Sequence, residues 1–275
     1  MALAKLDGVA GPLAAKAADL VAALRALSPV LVAFSGGVDS SLLLAAAQEA
    51  CGGRALAVTA SSPTFPRREL DSARAIAALV GARLKLIKTH EVDDPAFSAN
   101  PQDRCYHCKR ELFAKLAALA SAEGYRAVVE GSNVDDLGDF RPGEQAAREL
   151  GVVSPLRQVG LSKADVRELA RAIGLPNWDK PAAACLASRF PYGTEITRDG
   201  LAKIERLEDA LHDLGFHQVR ARAHGDLLRV ELEPREIETA SAGPMRERIV
   251  QAARREGFRF VALDLAGYRT GSFNP

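Results

Sequence analysis

Val30-Leu31-Val32-Ala33-Phe34-Ser35-Gly36-Gly37-Val38-Asp39-Ser40-Ser41-Leu42-Leu43-Leu44-Ala45-Ala46-Ala47 is the stretch around which the chain is organised. It opens with an apolar run containing β-branched and aromatic residues, and such a run bounded by glycines reads as a buried strand. It closes on Leu and Ala, both strong helix formers. The glycine loop therefore joins a strand to the start of a helix. An anion suits that junction: glycines allow close backbone approach, unpaired helical N–H groups point outward, and the serine hydroxyls add donors. No Gly-Lys-Ser/Thr follows, so this is not a Walker A loop, and the G-x-G-x-x-G spacing of dinucleotide sites is absent. The competing reading is a plain tight turn made of turn residues.

On the N-terminal side, Leu13, Ala17, Leu20, Val21, Leu24 and Leu27 recur at helical spacing until Ser28-Pro29. On the other side, Ala55–Ala60, Leu84–Ile87 and Ala127–Glu130 read as short strands. Between them, Arg67–Val80 and Cys108–Glu123 read as helices. Strands alternating with helices of this length predict a parallel α/β sheet, with ligands beyond the carboxyl ends of its strands. Ser35, Ser61 and Gly131 are thus expected in one crevice. After about Trp178 the pattern changes to a smaller α+β unit. It has a helix through Leu201, Ile204, Leu207, Leu211 and Leu214, and strands Gln218–Arg222 and Leu227–Leu232 joined by His224-Gly225-Asp226. A helix near Pro244–Glu256 and a strand Phe260–Asp264 follow. Both hairpin strands alternate apolar and charged residues, which predicts half-exposed strands. The expected domains are 1–178 and 179–275.

The 275 residues are 48% hydrophobic and 26% charged with a net charge of +1, as in ordinary globular proteins. That balance gives no general reason to expect a nucleic-acid or membrane-surface partner. Met1-Ala2-Leu3-Ala4-Lys5-Leu6-Asp7 carries an early acid and no long apolar core, so no secretory signal is expected. No stretch approaches the apolar length that spans a bilayer. A cytoplasmic location follows as an expectation, with the four cysteines reduced and serving as ligands or reactive groups rather than disulfides.

Cys105 and Cys108 form a C-x-x-C pair, with Cys185 far downstream. The pair places two sulfurs on one side of a turn, half of a four-ligand zinc site. A redox C-x-x-C usually opens a helix after a strand, whereas this one follows a Pro-containing loop. Three thiolates also suit a [4Fe-4S] cluster with one open iron. The spacing alone leaves cluster, zinc and plain thiols open.

The loop Ser35–Ser41 resembles the PP-loop of ATP pyrophosphatases, pattern SGGxDS. There the loop holds the pyrophosphate of ATP while the α-phosphate is attacked to give an adenylate. Ser188-Arg189-Phe190-Pro191-Tyr192-Gly193-Thr194, Asp139-Phe140-Arg141-Pro142-Gly143 and Asn177-Trp178-Asp179-Lys180 together resemble the LarE family over nearly the whole chain. The resemblance implies an adenine nucleotide alpha hydrolase-like, Rossmann-type domain and a smaller C-terminal one. It implies a PP-loop sulfurtransferase that adenylates a carboxylate of pyridinium-3,5-biscarboxylic acid mononucleotide with ATP and Mg²⁺. Sulfur then replaces the activated oxygen, in the synthesis of the nickel-pincer nucleotide cofactor of lactate racemase. Some members sacrifice a cysteine sulfur; others use a cysteine trio holding an iron–sulfur cluster.

Carried onto this chain, Ser35, Gly36, Gly37, Val38, Asp39, Ser40, Ser41, Ser61, Gly131 and Arg141 would contact ATP. Asp39 is the first candidate to position Mg²⁺, with Asp135 or Asp136 behind it; the bland reading of Asp39 is an acid favoured by the helix dipole. Cys185, Asp39, Ser188 and Arg189 are the catalytic candidates, and Arg189, Arg220, Arg222 and Glu231 the contacts to the nucleotide substrate. A cross-strand ion pair is the alternative for the last three, and a loop-stabilising pair for Arg141. Cys105, Cys108 and Cys185 would hold the cluster, although Cys185 alone can instead be the sacrificial cysteine. A homo-oligomer and transient contact with other proteins of the same cofactor pathway are also implied. The rival readings are a PP-loop tRNA thiolase, which should carry a basic RNA face, an ATP-dependent amide-forming ligase, and a zinc-stabilised nucleotide-binding module.

Overall fold

The computed structural model describes residues 11–138, 142–181 and 184–269, in two compact units. The first comprises residues up to Glu91 together with Asp103–Ala183, and the second Val92–Gln102 with the chain from Ala184 onward. Arg141 lies outside the described residues.

The first unit is a four-stranded parallel sheet, order β3-β2-β1-β4, built from β1 (Val30–Ala33), β2 (Ala55–Ser61), β3 (Arg83–Lys88) and β4 (Ala127–Val129). Side chains alternate along each strand, so both faces need cover. Val30, Val32, Ala55 and Ala57 face a core built with α1 (Pro12–Leu27), α2 (Val38–Cys51), α3 (Arg67–Val80) and part of a later helix. Leu31, Leu56, Val58 and Val128 face the opposite core. Among the described residues of the second unit, α4 (Pro95–Ser98) is the first α-helix. The chain then returns with α5 (Arg104–Glu123), whose Phe113, Leu116 and Ala120 fill that opposite core beside Ala146 and Ala147 of α6 (Pro142–Glu149). The short α7 (Pro155–Gln158) and α8 (Lys163–Ala172) complete the first face. α2 is buried from Leu42 to Ala47 without interruption, as befits an apolar helix in the middle of a layered protein.

The second unit holds α9 (Arg198–Asp213), the antiparallel pair β5 (Arg220–His224) and β6 (Leu227–Glu231), α10 (Ile237–Ser241), α11 (Gly243–Arg255) and β7 (Phe260–Leu263). β7 pairs parallel to β6. α9 packs on β5, and α11 on α9. Segment 92–102 is sewn in by backbone bonds from Gly193 N to Asn100 O (2.9 Å) and from Ile196 N to Ser98 O (2.8 Å). The fully buried Asn100 adds Nδ2 to the carbonyl of Pro191 at 2.8 Å.

The α/β parallel sheet and the α+β second unit agree with the sequence expectation. Two local readings need correction. α5 starts at Arg104, not Cys108, so the cysteine pair lies on the helix. β5 is not half-exposed: Arg220 and Arg222 are only 7% and 5% exposed. Acceptors inside the unit take their guanidinium groups, Glu231 for Arg222 and the Val219 carbonyl for Arg220.

Candidate active site

In the first unit, β1 delivers Ser35-Gly36-Gly37 to the start of α2, whose N-cap is Gly37. Gly36 has φ +72°, and a Cβ there would lie 2.9 Å from Ala73 Cα. Only glycine fits both constraints. Ser35 Oγ and Ser40 Oγ are 3.1 Å apart, and Ser40 Oγ donates to Gly37 O at 3.1 Å. Val38 and Ser41 are buried, so Val38 offers the loop its backbone alone. Gly131, just past β4, passes so close to this turn that a Cβ would sit 3.0 Å from Ser40 N. Ser61 ends β2 on the same sheet edge, beside β1. Thus Ser35, Ser61 and Gly131 all stand at the carboxyl ends of neighbouring parallel strands, where the open helical N–H groups face.

Asp39 occupies the first turn of α2. One carboxylate oxygen accepts from Asn133 Nδ2 at 3.0 Å, and the other forms an ion pair with Lys163 Nζ. Lys163 opens α8, and its backbone N–H donates to Asp135 Oδ2 at 2.8 Å. Asp136 accepts from Asn133 N at 2.9 Å. Asp135 and Asp136 therefore shape the loop that carries Asn133. Lys163 escaped the sequence reading because it lies far from the loop in sequence; a lysine directly behind the helix N-cap Ser162 is its only local signal.

In the second unit, Cys185 precedes a short 3-10 turn, Leu186–Arg189. Ser188 Oγ donates to Cys185 O at 2.8 Å. Arg189, only 2% exposed, grips the same peptide: Nη1 donates to Ala184 O (2.8 Å), Cys185 O (3.1 Å) and Ser188 Oγ (2.9 Å). Its Nε and Nη2 meet the two oxygens of Glu208 at 2.9 and 2.8 Å. Burial works against the Arg189 charge, and Glu208 outweighs it, leaving the guanidinium pKa raised. Glu208 also accepts from Ala221 N at 2.9 Å. It was missed because it sits on the inner face of α9, where a charge normally signals an error of periodicity.

Arg222 lies beside this turn, donating to Ser188 O at 2.6 Å and pairing with the buried Glu231 through Nε (3.0 Å) and Nη2 (2.9 Å). Arg229 Nη2 shares Glu231 at 2.9 Å. Arg220 lies over the Tyr268 ring at 4.8 Å and donates to Val219 O at 2.8 Å. Burial first, then the neighbouring Arg189 charge, depress the Arg220 pKa. Arg222 and Glu231 are thus a buried cross-strand ion pair, and Arg222 also reaches Ser188. Arg189 and Arg222 both reach this turn, and each has its charge met by a buried glutamate.

Cys105 and Cys108 are one helical turn apart on α5, with Cys105 exposed. Residues three apart share a helix face, so the two thiols can serve one metal. Among the described residues, no group of three or more His, Cys, Asp or Glu is drawn together around a metal position. Cys105 and Cys108 lie in the first unit and Cys185 in the second. Among the described residues no helix is long and apolar enough to cross a membrane.

Comparison with known proteins sharpens this. The asparagine synthase family profile matches residues 16–120, which span the loop and the strands around it. The chain is 46% identical to an uncharacterized protein of Synechocystis, covering 90% of this chain and 92% of that one. It is 39% identical to pyridinium-3,5-bisthiocarboxylic acid mononucleotide synthase of Lactiplantibacillus plantarum, covering 95% of each. An uncharacterized protein of Methanocaldococcus jannaschii is 30% identical over 88% of this chain and 91% of its own. Parallel sheet, glycine loop and profile define a PP-loop, ATP-using enzyme. Within that class, the near full-length match to the Lactiplantibacillus synthase shows that the chain belongs to the LarE family.

Proposed function

We propose that the protein is an ATP-dependent sulfurtransferase making a thiocarboxylate from pyridinium-3,5-biscarboxylic acid mononucleotide, in nickel-pincer cofactor synthesis. A carboxylate is a poor electrophile because its leaving group would be oxide. Its oxygen attacks the α-phosphorus of ATP, the bond to pyrophosphate breaks, and an acyl adenylate results. Loop N–H groups and Lys163 offset the charge that develops on the departing diphosphate. Mg²⁺ held at Asp39 would neutralise phosphate oxygens. A sulfur nucleophile then attacks the carbonyl; the C–S bond forms and AMP leaves.

Where Cys185 is the donor, its thiolate forms a thioester, and loss of the Cα proton with cleavage of Cβ–S yields the thiocarboxylate and dehydroalanine. A [4Fe-4S] cluster on Cys105, Cys108 and Cys185 would instead supply sulfide from an open iron and spare the cysteine. Arg189 and Ser188 fix the Cys185 peptide in either route, and Arg220 and Arg222 favour the substrate's phosphate. The Mg²⁺ at Asp39, the cluster and the substrate contacts of Arg189, Arg220, Arg222 and Glu231 belong to this proposal.

The observation that carries the reading is the Cys185 turn, held by Arg189 and flanked by Arg222 at Ser188 O. The test is purification without oxygen, followed by metal analysis and mass spectrometry after one turnover with ATP and the mononucleotide. Brown, iron-containing protein that yields thiocarboxylate and keeps Cys185 supports the cluster route. Colourless active protein with dehydroalanine at position 185 supports the sacrificial one. Pyrophosphate release without any sulfur in the product overturns the proposal.

A further inference from the structure

Asn177 has no part in the chemistry above, yet it is only 7% exposed and its side chain reaches the nucleotide loop. Its Nδ2 donates to Gly36 O at 2.9 Å and to Ser41 Oγ at 3.0 Å. The orientation is fixed, since a carbonyl only accepts. Asn177 Oδ1 is thereby left buried with no hydrogen-bond partner among the described residues. An unmet buried acceptor costs stability, so this position is poorly chosen for packing alone.

The geometry points to Asn177 as a positioning residue for the diphosphate of ATP, acting through one peptide group. The Gly36–Gly37 unit is planar, so its C=O and N–H point in opposite directions. Asn177 draws the Gly36 carbonyl into the protein interior, which turns the Gly37 N–H outward. That N–H has only a long contact to Ser35 Oγ, at 3.4 Å and exposed. It is therefore a donor with spare capacity at the helix N-cap, where an anion is held. Without Asn177 the peptide can rotate, exposing a carbonyl oxygen to the phosphates instead. That rotation changes ψ of Gly36 and φ of Gly37, and neither glycine has a Cβ to oppose it. Lys180 Nζ, in the same segment, reaches Glu69 at 2.7 Å and Ser72 Oγ at 3.3 Å on α3, so the strap bearing Asn177 is anchored at a second point.

The inference rests on the loop binding ATP, and the test separates the two. Dissociation constants for ATP, inorganic pyrophosphate and AMP, all with Mg²⁺, are measured on the full chain by calorimetry for wild type, Asn177→Asp, Asn177→Ala and Ser72→Ala. A dissociation constant reports on the folded molecules, so partial misfolding does not disguise the answer. Both Asn177 variants should bind ATP and pyrophosphate about 10- to 100-fold more weakly, the range for a lost hydrogen bond to a charged group. AMP, which lacks the diphosphate, should change less than about twofold. Ser72→Ala leaves the Gly36 contact and the Lys180–Glu69 pair in place and should stay within about threefold for all ligands. Equal losses for ATP and AMP, or no loss in either Asn177 variant, overturn the positioning role. Wild-type protein that binds neither ATP nor pyrophosphate overturns the loop assignment itself, and the inference with it.

Discussion

Glu208→Ala is the sharpest test of how the Cys185 turn is held. The substitution removes both carboxylate partners of Arg189, at 2.9 and 2.8 Å, and the acceptor of Ala221 N. Breaking a buried ion pair from one side typically costs about 3–5 kcal/mol, because a charge is stranded. Arg189 keeps three neutral acceptors, Ala184 O, Cys185 O and Ser188 Oγ, which places the expected loss near the low end, about 3 kcal/mol. The two units need separate probes, since a single unfolding midpoint presumes two-state behaviour. Trp178 is the sole tryptophan and reports on the first unit. Its fluorescence transition in urea should not move. Hydrogen exchange of the β5 and β6 amides, read by mass spectrometry, should accelerate about 100-fold, the equivalent of that loss. Pairing the change with Arg189→Met should recover much of it, because no charge is then left without its counterion. Exchange within about threefold of wild type for Glu208→Ala would refute the view that this pair holds the turn.

Further outcomes follow from other contacts. Gly36→Ala should lose about 2–4 kcal/mol in thermal or urea unfolding, from a left-handed backbone plus a clash with Ala73, whereas Gly37→Ala, with φ −74° and only an ordinary contact, should lose under about 1 kcal/mol. Lys163→Met should weaken pyrophosphate release from ATP by about 10-fold or more with AMP binding kept; unchanged kcat and KM would remove the lysine from the site. His224 has its pKa depressed by burial and then by Arg229 and Arg222. The unfolded chain therefore binds the proton more readily, and this histidine's contribution is complete above its unfolded pKa of about 6.5 and is lost as pH falls through the lower folded value. His224→Gln should flatten the fall in second-unit stability as pH drops below about 6.5, checked by denaturation at each pH. On the cluster route, replacing both Cys105 and Cys108 by Ser should abolish iron retention after anaerobic purification while ATP affinity is kept.

The glycine loop, the four parallel strands and their order of appearance were legible because each depends on neighbours in sequence: an apolar run, a glycine pair, a Leu/Ala stretch. Ser35, Ser61 and Gly131 could be placed together for the same reason, since parallel strands put their carboxyl ends on one edge. What stayed hidden depends on partners far away. Lys163 is paired with an acid 124 positions earlier, and Asn177 reaches back 141 positions to Gly36. The alternation in β5 signalled an exposed face, but Glu231 takes the Arg222 charge inside, as Glu208 takes that of Arg189. No local pattern announces a charge that is buried in company. The early start of α5 was obscured by Pro101 and the polar residues after it, which read as loop.

The strip from Val92 to Gln102 has a consequence for how the polypeptide is made. It leaves the ribosome well before Pro191, Gly193 and Ile196, the residues its Asn100 and Ser98 bind. During synthesis, the buried face of Phe97 must wait uncovered while the remainder of the first unit emerges behind it. A gene fragment beginning at Ala184 would lack that strip altogether, so adding a synthetic peptide of residues 92–102 should be what lets such a fragment close.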